Sequence, residues 1–154
     1  MPVRPIDTAD YPAFRKLFCD YFTELDCEDD PEYTFDEFLL PDLEAENFSV
    51  AVAEAEGRLV GFVIYQIDEL LNAWHFKEGF GDVREIYVAP LFRKRGLGSE
   101  LLKFAEDALK AEGADGVYTL PVEESEAFFS KRGYSDTGEY CSGLDNKVFG
   151  KNLL

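Results

Sequence analysis

The residues best suited to bind an anion form one basic, glycine-containing stretch, Arg93–Gly98. It follows a strand-like run over 83–88 and precedes an amphipathic run over 97–112. Its two glycines allow a sharp turn and close backbone approach to a ligand. The first N–H groups of the following helix, together with the helix dipole, favour negative charge. Three neighbouring cations add charge-assisted contacts, so we predict a phosphate-binding loop here.

Two other phosphate-binding patterns do not fit this stretch. A Walker A loop needs Gly-Lys followed by Ser or Thr, which is not found here. The dinucleotide pattern GxGxxG fails because Leu101 stands at the third glycine position. Asp115 lies at a suitable distance in sequence, but it precedes its strand and so is badly placed for a ribose. The pattern that fits is R/Q-x-x-G-x-G/A, from Arg93 to Gly98.

The hydrophobic pattern predicts the elements that position this loop. In chain order we expect a strand at 3–6, a helix at 11–25 capped by Asp7 or Thr8, a helical piece at 35–45 interrupted near Pro41, strands at 48–53, 59–67 and 82–88, a helix at 97–112, a strand at 117–122, a helix at 123–131, and two strands at 134–139 and 146–152. An irregular connection covers 68–81. This order predicts a mixed α/β layer structure with a right-handed parallel crossover over 82–122 and a final hairpin.

Length and composition narrow the class of protein. A chain of 154 residues with 46% hydrophobic residues predicts one globular domain over 1–154. Its net charge of −17 argues against nucleic acid and an anionic membrane as partners. The same charge would attract a cationic substrate, although it could equally serve solubility alone. We expect no metal site, since no metal-ligand spacing occurs.

The cysteines and the N-terminal segment favour a cytoplasmic location. Cys19, Cys27 and Cys141 are scattered and odd in number, which is typical of a reducing compartment. The segment 1–5 carries no apolar run for secretion, and no run reaches membrane-spanning length.

The loop and its flanks resemble the GCN5-related N-acetyltransferases. The resemblance rests on three segments, namely Glu85-Ile86-Tyr87-Val88-Ala89-Pro90, the loop Arg93–Gly98 followed by Leu101-Leu102, and 128–134 with its Phe-Phe-Ser-Lys-Arg-Gly-Tyr sequence. The predicted element order matches the family over essentially the whole chain. The resemblance implies an α/β (α+β) acyl-CoA N-acyltransferase-like fold, with a mixed sheet of about six to seven strands flanked by about four helices.

The resemblance also implies acetyl-CoA as the acetyl donor. In the family, backbone amides of the loop hold the pyrophosphate and the preceding strand pairs with the pantetheine arm. The implied donor-binding residues are Ile86, Tyr87, Val88, Arg93, Lys94, Arg95, Gly96, Leu97, Gly98 and Ser99. Dimers are common in the family, so a homodimer stays open.

Transfer of an acetyl group to an amine needs a base, because an ammonium group must first lose a proton. Glu85 is our first candidate, since it lies on the strand that lines the thioester in the family. Asp82 is the second, and the two should face opposite ways on a regular strand. A backbone amide near Val88 could stabilise the developing negative charge on the thioester oxygen.

One position departs from the family. A Tyr often protonates the leaving thiolate, and the matching position here is Phe129, which has no proton to give. Tyr118, Tyr134 or water could serve instead, or the thiolate leaves unassisted. Phe129 and Lys131 are carried over as donor contacts, with Lys131 near the phosphates.

The acceptor site is expected between the first helices and the connection over 68–81. Its candidate residues are Tyr21, Tyr33, Trp74 and His75, with acidic residues at 26, 28, 29 and 30 drawing in a cation. The leading hypothesis is an N-acetyltransferase acting on the primary amine of a small cationic molecule by direct attack. The alternatives are a non-catalytic acyl-CoA-binding sensor and a peptide or protein N-terminal acetyltransferase.

Overall fold

The computed structural model describes residues 2–69, 75–141 and 146–154, so Trp74 lies outside the described residues. The elements in chain order are β1 Val3–Pro5, α1 Tyr11–Glu24, α2 Pro31–Thr34, a π turn Phe35–Leu39, α3 Leu40–Glu44, β2 Ser49–Ala55, β3 Arg58–Ile67, β4 Gly81–Val88, α4 Leu97–Ala111, β5 Gly116–Thr119, α5 Glu126–Ser130, β6 Ser135–Tyr140 and β7 Lys147–Asn152. Short 3-10 turns precede α1, α4 and α5.

The strands of the described segments form a seven-stranded mixed sheet in the order β1-β2-β3-β4-β5-β7-β6. β1 runs antiparallel to β2, and β4 runs parallel to β5. β7 is antiparallel to both β5 and β6. The predicted mixed sheet, the parallel crossover through α4 and the terminal hairpin are therefore confirmed, whereas the right-handedness of the crossover stays a prediction. With the continuous stretch 31–44 taken as one helix, the described part also has the predicted four helices.

The second helical stretch differs from its prediction. It begins at Pro31 rather than near residue 35, because Asp30 accepts a hydrogen bond from the Glu32 N–H and caps the helix there. Pro41 does not interrupt the stretch. It is the second residue of α3 and so lies in its first turn, just after the π turn in which the Leu40 N–H donates to the Phe35 carbonyl. Proline is tolerated at a first helical turn because its missing N–H has no partner there in any case.

Two strands and the last helix also differ in detail from their predictions. β2 does not alternate, because Ala51 and Ala53 are as fully buried as Val50 and Val52. A strand covered on both faces needs small or apolar residues at every position. β5 ends at Thr119 rather than near 122. The final helix begins as a 3-10 turn over Glu123–Ser125 before α5.

The chain groups into two compact units. The first contains Met1–Ile64 and Glu85–Phe104. Its core is built around Phe14, whose ring lies 5.5 Å from that of Phe35 and 5.2 Å from that of Phe62. Such edge-to-face aromatic pairs add to the stabilisation from burial alone.

The second unit contains Tyr65–Arg84 and Ala105–Leu154. In one of its buried clusters, Tyr118 packs with Cys141 and Val148, and the Tyr118 ring lies 5.0 Å from that of Phe76. No helix in the described ranges is both long and apolar enough to span a bilayer. The single domain over 1–154 stays a prediction.

Asp10 ties the start of the chain to the turn before α1, which gives a prediction about stability. Arg4 donates to both Asp10 oxygens, at 2.7 and 2.9 Å, and the Asp7 N–H donates to Asp10 at 2.8 Å. The Arg4 hydrogen bonds hold the pKa of Asp10 below its ordinary value. We expect Asp10→Asn to lower the free energy of unfolding at pH 7 by about 1 kcal/mol.

The pH dependence of this loss of stability follows from the direction in which folding shifts the pKa of Asp10. A carboxyl with a lowered folded-state pKa stabilises the protein above its unfolded-state pKa and loses that contribution as pH falls through the folded-state pKa. Urea unfolding at pH 7 and pH 3 should therefore show a smaller difference between wild type and Asp10→Asn at pH 3. A difference that grows on acidification would contradict the assignment.

Candidate functional site

The backbone of the predicted phosphate loop turns twice into the left-handed region. Lys94 has φ 64° and Gly96 has φ 85°, with Arg95 between them. Alternation of left- and right-handed residues turns successive N–H groups toward one point, which makes an anion-binding nest. A Cβ atom placed on Gly96 would meet no atom within 4 Å, so the space beside the loop is open. The loop therefore presents its backbone to an open face.

The loop leads directly into α4. The Glu100 N–H donates to the Gly96 carbonyl at 3.1 Å, which begins the helical hydrogen-bond pattern. Leu97 and Gly98 thus lie in the first turn, where N–H groups have no intrahelical acceptor. The helix begins directly after the loop, as predicted, and the structure adds the nest formed by the loop backbone. This combination can bind a phosphate group.

The Arg93 side chain binds the protein itself. Its Nε donates to the Val88 carbonyl at 2.8 Å, and its Nη2 donates to Glu24 Oε2 at 2.6 Å. The guanidinium carbon also lies 5.5 Å from the centre of the Tyr87 ring. Arg93 therefore ties the loop to the end of β4 and to the last turn of α1. Lys94 and Arg95 are exposed.

Glu85, the first candidate base, belongs to the same compact unit as this loop. It lies on β4 and is half-buried, and its Oε2 accepts a hydrogen bond from the Tyr21 hydroxyl of α1. Burial, followed by the negative charge of Glu85, raises the pKa of Tyr21 well above its ordinary value. Tyr21 therefore remains a hydrogen-bond donor to Glu85 at any working pH.

Tyr87 and Glu24 extend this contact between α1 and β4. The Tyr87 hydroxyl donates to Glu24 Oε1 at 3.4 Å, and the rings of Tyr21 and Tyr87 lie 5.3 Å apart. Sequence reasoning missed Glu24. A signal was present, because Glu24 lies three residues after Tyr21 and thus on the same helix face. Both side chains of that face contact β4 or the loop that follows it, since Tyr21 binds Glu85 and Glu24 binds Arg93.

The donor-binding residues predicted on β4 do not all present their backbone groups to the same side of the strand. The Ala89 N–H donates to the Val60 carbonyl of β3 at 2.8 Å. Because backbone groups of successive strand residues point to opposite sides, those of Val88 and Ile86 point to the edge away from β3, and those of Tyr87 point toward it. The β4–β5 register pairs Gly81 with Val117 and Asp82 with Tyr118, while β4 itself continues to Val88.

Asp82, the second candidate base, has different surroundings from Glu85. It is 9% exposed and lies in the second unit, opposite Tyr118 in the sheet register. Burial and the nearby charges of Asp82 and Asp68 raise the pKa of Tyr118 well above its ordinary value. The Tyr118 hydroxyl is buried near the Asp68 carboxylate, but no described residue forms a well-aligned hydrogen bond with it. Asp82 therefore belongs to a buried polar cluster.

Phe129, which stands where the family often has a proton-donating Tyr, is part of a hydrophobic cluster. Phe129 is 2% exposed, and its ring packs against Phe128 at 5.2 Å and Tyr134 at 5.3 Å. The Tyr134 hydroxyl donates to Glu106 Oε2 at 2.7 Å, and Lys151 pairs with the same carboxylate at 3.1 Å. Lys131, the other predicted donor contact from this segment, is exposed.

The remaining predicted acceptor residues have different surroundings. Tyr33 is 59% exposed, and its ring packs against Phe38 at 5.9 Å. His75 is half-buried in the second unit, where its carbonyl accepts a hydrogen bond from Cys141 Sγ at 3.3 Å. Trp74 lies outside the described residues.

Cys27 is close enough to Glu85 for the two groups to interact. Burial first, and then the charge of Glu85, raise the pKa of the Cys27 thiol. A thiol held in its neutral form is a weak nucleophile. Within the ranges described, no group of His, Cys, Asp and Glu side chains is arranged to hold a metal ion.

Comparisons with known proteins identify the class of this chain. A model of the acetyltransferase (GNAT) family matches residues 11–134. A search of curated proteins found no match. An N-acetyltransferase from Staphylococcus aureus Mu50 is similar in structure, with a TM-score of 0.76 at 18% identity over 99% of this chain and 98% of that one.

Two further similar structures contain coenzyme A. The PaiA N-acetyltransferase from Thermoplasma acidophilum in complex with coenzyme A has a TM-score of 0.72 at 15% identity, over 97% of each chain. A GNAT family N-acetyltransferase, YhbS, from Escherichia coli in complex with CoA has a TM-score of 0.72 at 20% identity, over 99% of this chain and 81% of that one. These likenesses show the fold. The family match covers most of the sequence, and the chain therefore belongs to the acetyltransferase (GNAT) family, whose members are acetyl-CoA-dependent N-acetyltransferases.

Proposed function

We propose that this chain transfers the acetyl group of acetyl-CoA to the primary amine of a small cationic molecule, with Glu85 as the general base. The observation that carries the proposal is the position of the Glu85 carboxylate. It lies on the strand that leads into the phosphate loop, and the Tyr21 hydroxyl holds it from α1. Acetylation of an amine requires a base that is held in place where it can accept the proton of the amine.

The loop fits the phosphate end of the donor. Lys94 and Gly96 turn the backbone into a nest, the space beside Gly96 is open, and the first turn of α4 adds N–H groups. The amides at 95–99 would hold the pyrophosphate. Coenzyme A in two proteins of similar fold supports this assignment. When bound, the donor supplies an activated thioester, and the chain's own residues must orient it and remove a proton.

The outward edge of β4 would align the pantetheine arm. By alternation, the backbone groups of Ile86 and Val88 point away from β3, where an extended ligand can add to the strand. The Val88 N–H would stabilise negative charge on the thioester oxygen. The Val88 carbonyl accepts a hydrogen bond from Arg93 Nε, which ties the loop to the end of β4 next to this N–H.

Direct attack by the amine requires two proton movements. Glu85, directly or through one water molecule, would take the proton that leaves the ammonium group. Tyr21 would keep the carboxylate in place and remain protonated, as its raised pKa indicates. As the C–N bond forms and the C–S bond breaks, the second nitrogen proton passes to water, and coenzyme A leaves as the thiolate without a side-chain acid. Phe129 carries no proton, the Tyr134 hydroxyl donates to Glu106, and the Tyr118 hydroxyl is buried with a raised pKa.

A cationic acceptor would be drawn toward the end of α1. The segment after this helix carries four exposed acids at 26, 28, 29 and 30, and the last turn of α1 has no basic residue. The negative end of the helix dipole lies at the same place. Tyr33, Trp74 and His75 remain predicted acceptor contacts. Cys19, Cys27 and Cys141 form no disulfide with one another, which fits a reducing compartment such as the cytoplasm.

A second candidate function is a non-catalytic acyl-CoA-binding sensor. The observation that favours it is the buried Phe129 at the position of the family's acidic Tyr. Calorimetric titration with acetyl-CoA, free CoA and ATP tests donor binding, and thiol release over a panel of polyamines, peptides and aminoglycosides then tests transfer. Saturable binding selective for acetyl-CoA with amine-dependent thiol release supports the enzyme. Binding with no release on any amine supports the sensor, and no binding rejects both.

Tyr21→Phe tests whether Tyr21 positions Glu85. The ring still packs in the aromatic cluster, but the hydrogen bond to the carboxylate is lost. A hydrogen bond to a charged group contributes about 1.5 kcal/mol, so kcat should fall about tenfold. Because that bond favours the charged carboxylate, its loss should move the acidic limb of the pH–rate profile to higher pH. An unchanged limb together with an unchanged kcat would show that Tyr21 is purely structural.

A further inference from the structure

We propose that the outward side of the helical stretch 31–44 is a docking surface for a basic segment of a partner protein. The opposite side of this stretch is buried in the core of the first unit through Phe35, Leu39 and Leu43. The docking surface consists of the exposed side chains, which are Glu32, Tyr33, Asp36, Glu37, Phe38, Pro41, Asp42 and Glu44. Apart from Pro41, all of them are aromatic or acidic. The inference does not depend on the proposed acetyl transfer.

The π turn brings the two aromatic rings of the docking surface together. In a regular α-helix each residue adds about 100°, so side chains five positions apart point about 140° apart. Residues 35–39 form a wider turn instead, in which the Leu40 N–H donates to the Phe35 carbonyl. Tyr33 and Phe38 therefore lie on the same side, and their rings pack edge to face at 5.9 Å. Such π turns are frequent at functional sites.

Both rings of this pair are largely open to solvent. Tyr33 and Phe38 are each 59% exposed, whereas every other aromatic side chain in the described part of the first unit is buried or half-buried. Burial of aromatic rings is strongly favourable, because they carry large apolar surfaces. Aromatic residues are also enriched among the residues that contribute most to protein–protein binding. The pair can therefore supply the apolar contact of an interface.

The charge around the rings selects a cationic partner. The sequence contains no lysine or arginine between positions 16 and 58, so the stretch and its flanks carry acids alone. Arg15 offsets part of this charge, at 2.9 Å from Asp36 and 3.6 Å from Glu32. The other three acids of the docking surface form no ion pair with any residue that the structure describes. Lysine and arginine can pair with such acids and can also lie against aromatic faces.

The shape of the docking surface favours a polypeptide over a small cation. Small molecules bind in concave sites that enclose most of their surface, whereas the exposed side of a helix is convex. At about 1.5 Å per residue the stretch is about 20 Å long, so a basic segment lying along it can contact the aromatic pair and several acids at once. A second copy of this chain, with its net charge of −17, would be repelled.

Calorimetric titration with synthetic peptides tests the proposal. The probe is a peptide of Arg and Leu, about 14 residues long to follow the stretch. Both of its ends are blocked, so it carries no amine that could be acetylated. Two comparison peptides replace its Arg by Glu or its Leu by Ser. The protein variants are Tyr33→Ala, Phe38→Ala and a matched control, Tyr140→Ala, and circular dichroism checks their folding. Tyr140 is 61% exposed and lies in the second unit.

We expect wild type to bind the Arg-Leu peptide saturably, more tightly than the Arg-Ser peptide, and not to bind the Glu-Leu peptide. Tyr33→Ala and Phe38→Ala should each weaken this binding about tenfold, as truncation of a central aromatic contact does. Tyr140→Ala should bind as wild type does. Added salt should weaken binding, because the acids of the docking surface are exposed.

Four results would overturn the proposal. Absence of saturable binding rejects the docking surface, and an equal loss in Tyr140→Ala shows that the effect is not local. Equal affinity for the Arg-Leu and Arg-Ser peptides shows attraction by charge alone. Spermidine binding that Tyr33→Ala and Phe38→Ala weaken as much as peptide binding shows a small-molecule site instead. Self-association of wild type that Phe38→Ala abolishes in sedimentation would replace the basic partner by a second copy. None of these titrations contains acetyl-CoA, so their failure leaves the proposed transfer standing.

Discussion

Replacing Glu85 with Gln is expected to lower kcat for amine acetylation by about 100-fold or more, while the affinity for acetyl-CoA changes little. A positioned general base contributes about 10²–10⁴-fold, and an amide in the same place cannot accept the proton. Gln can still accept a hydrogen bond from the Tyr21 hydroxyl, which now donates to Glu85. The fold and the donor loop should therefore be preserved. Steady-state kinetics with separate donor titration measure both quantities.

Asp82→Asn is the matched carboxylate-to-amide control for this experiment. Asp82 is buried beside Tyr118 in the second unit, so its replacement should change stability more than kcat. Raising the pH should partly restore the activity of Glu85→Gln, because more acceptor is then present as free amine. If Glu85→Gln keeps more than half of the wild-type kcat, Glu85 is not the general base. The same conclusion follows if Asp82→Asn loses more kcat than Glu85→Gln.

Gly96→Val is expected to weaken acetyl-CoA binding by about 2 kcal/mol, or roughly 30-fold. Gly96 has φ 85°, a conformation that a β-branched residue adopts only with strain. The loop would relax to relieve that strain, and its N–H groups would no longer converge on one point. The new side chain would also enter the space that is open beside Gly96. Calorimetric titration with acetyl-CoA measures the loss.

Gly79→Val provides the control for backbone strain. Gly79 also has φ 85° and open space around its Cβ position, but it lies in the connection before β4. Both variants should lose similar stability in thermal unfolding, and only Gly96→Val should lose affinity for acetyl-CoA. If the two folded variants bind acetyl-CoA equally well, the backbone of the loop does not hold the donor's phosphates.

The order of elements and the position of the glycine-containing loop before α4 could be predicted because their signals are local. Periodic apolar residues indicate α1 and α4, and α4 begins at Leu97 as predicted. The predictions of secondary structure were wrong where packing against distant residues outweighs the local sequence pattern. Pro41 is accommodated after a π turn, and β2 is buried on both faces by packing that no alternation could indicate.

The sequence by itself determined the turn at 93–98, its glycine at Gly96 and the strand that carries the candidate Glu85, because turns, helix starts and strands depend on residues that are close in the chain. Only the tertiary structure decided which side chains meet. Tyr21 reaches Glu85 across 64 positions, and Arg93 reaches Glu24 across 69. Such contacts depend on how the strands and helices pack. The local pattern can show that Tyr21 and Glu24 share a helix face, but it does not encode which residues they meet.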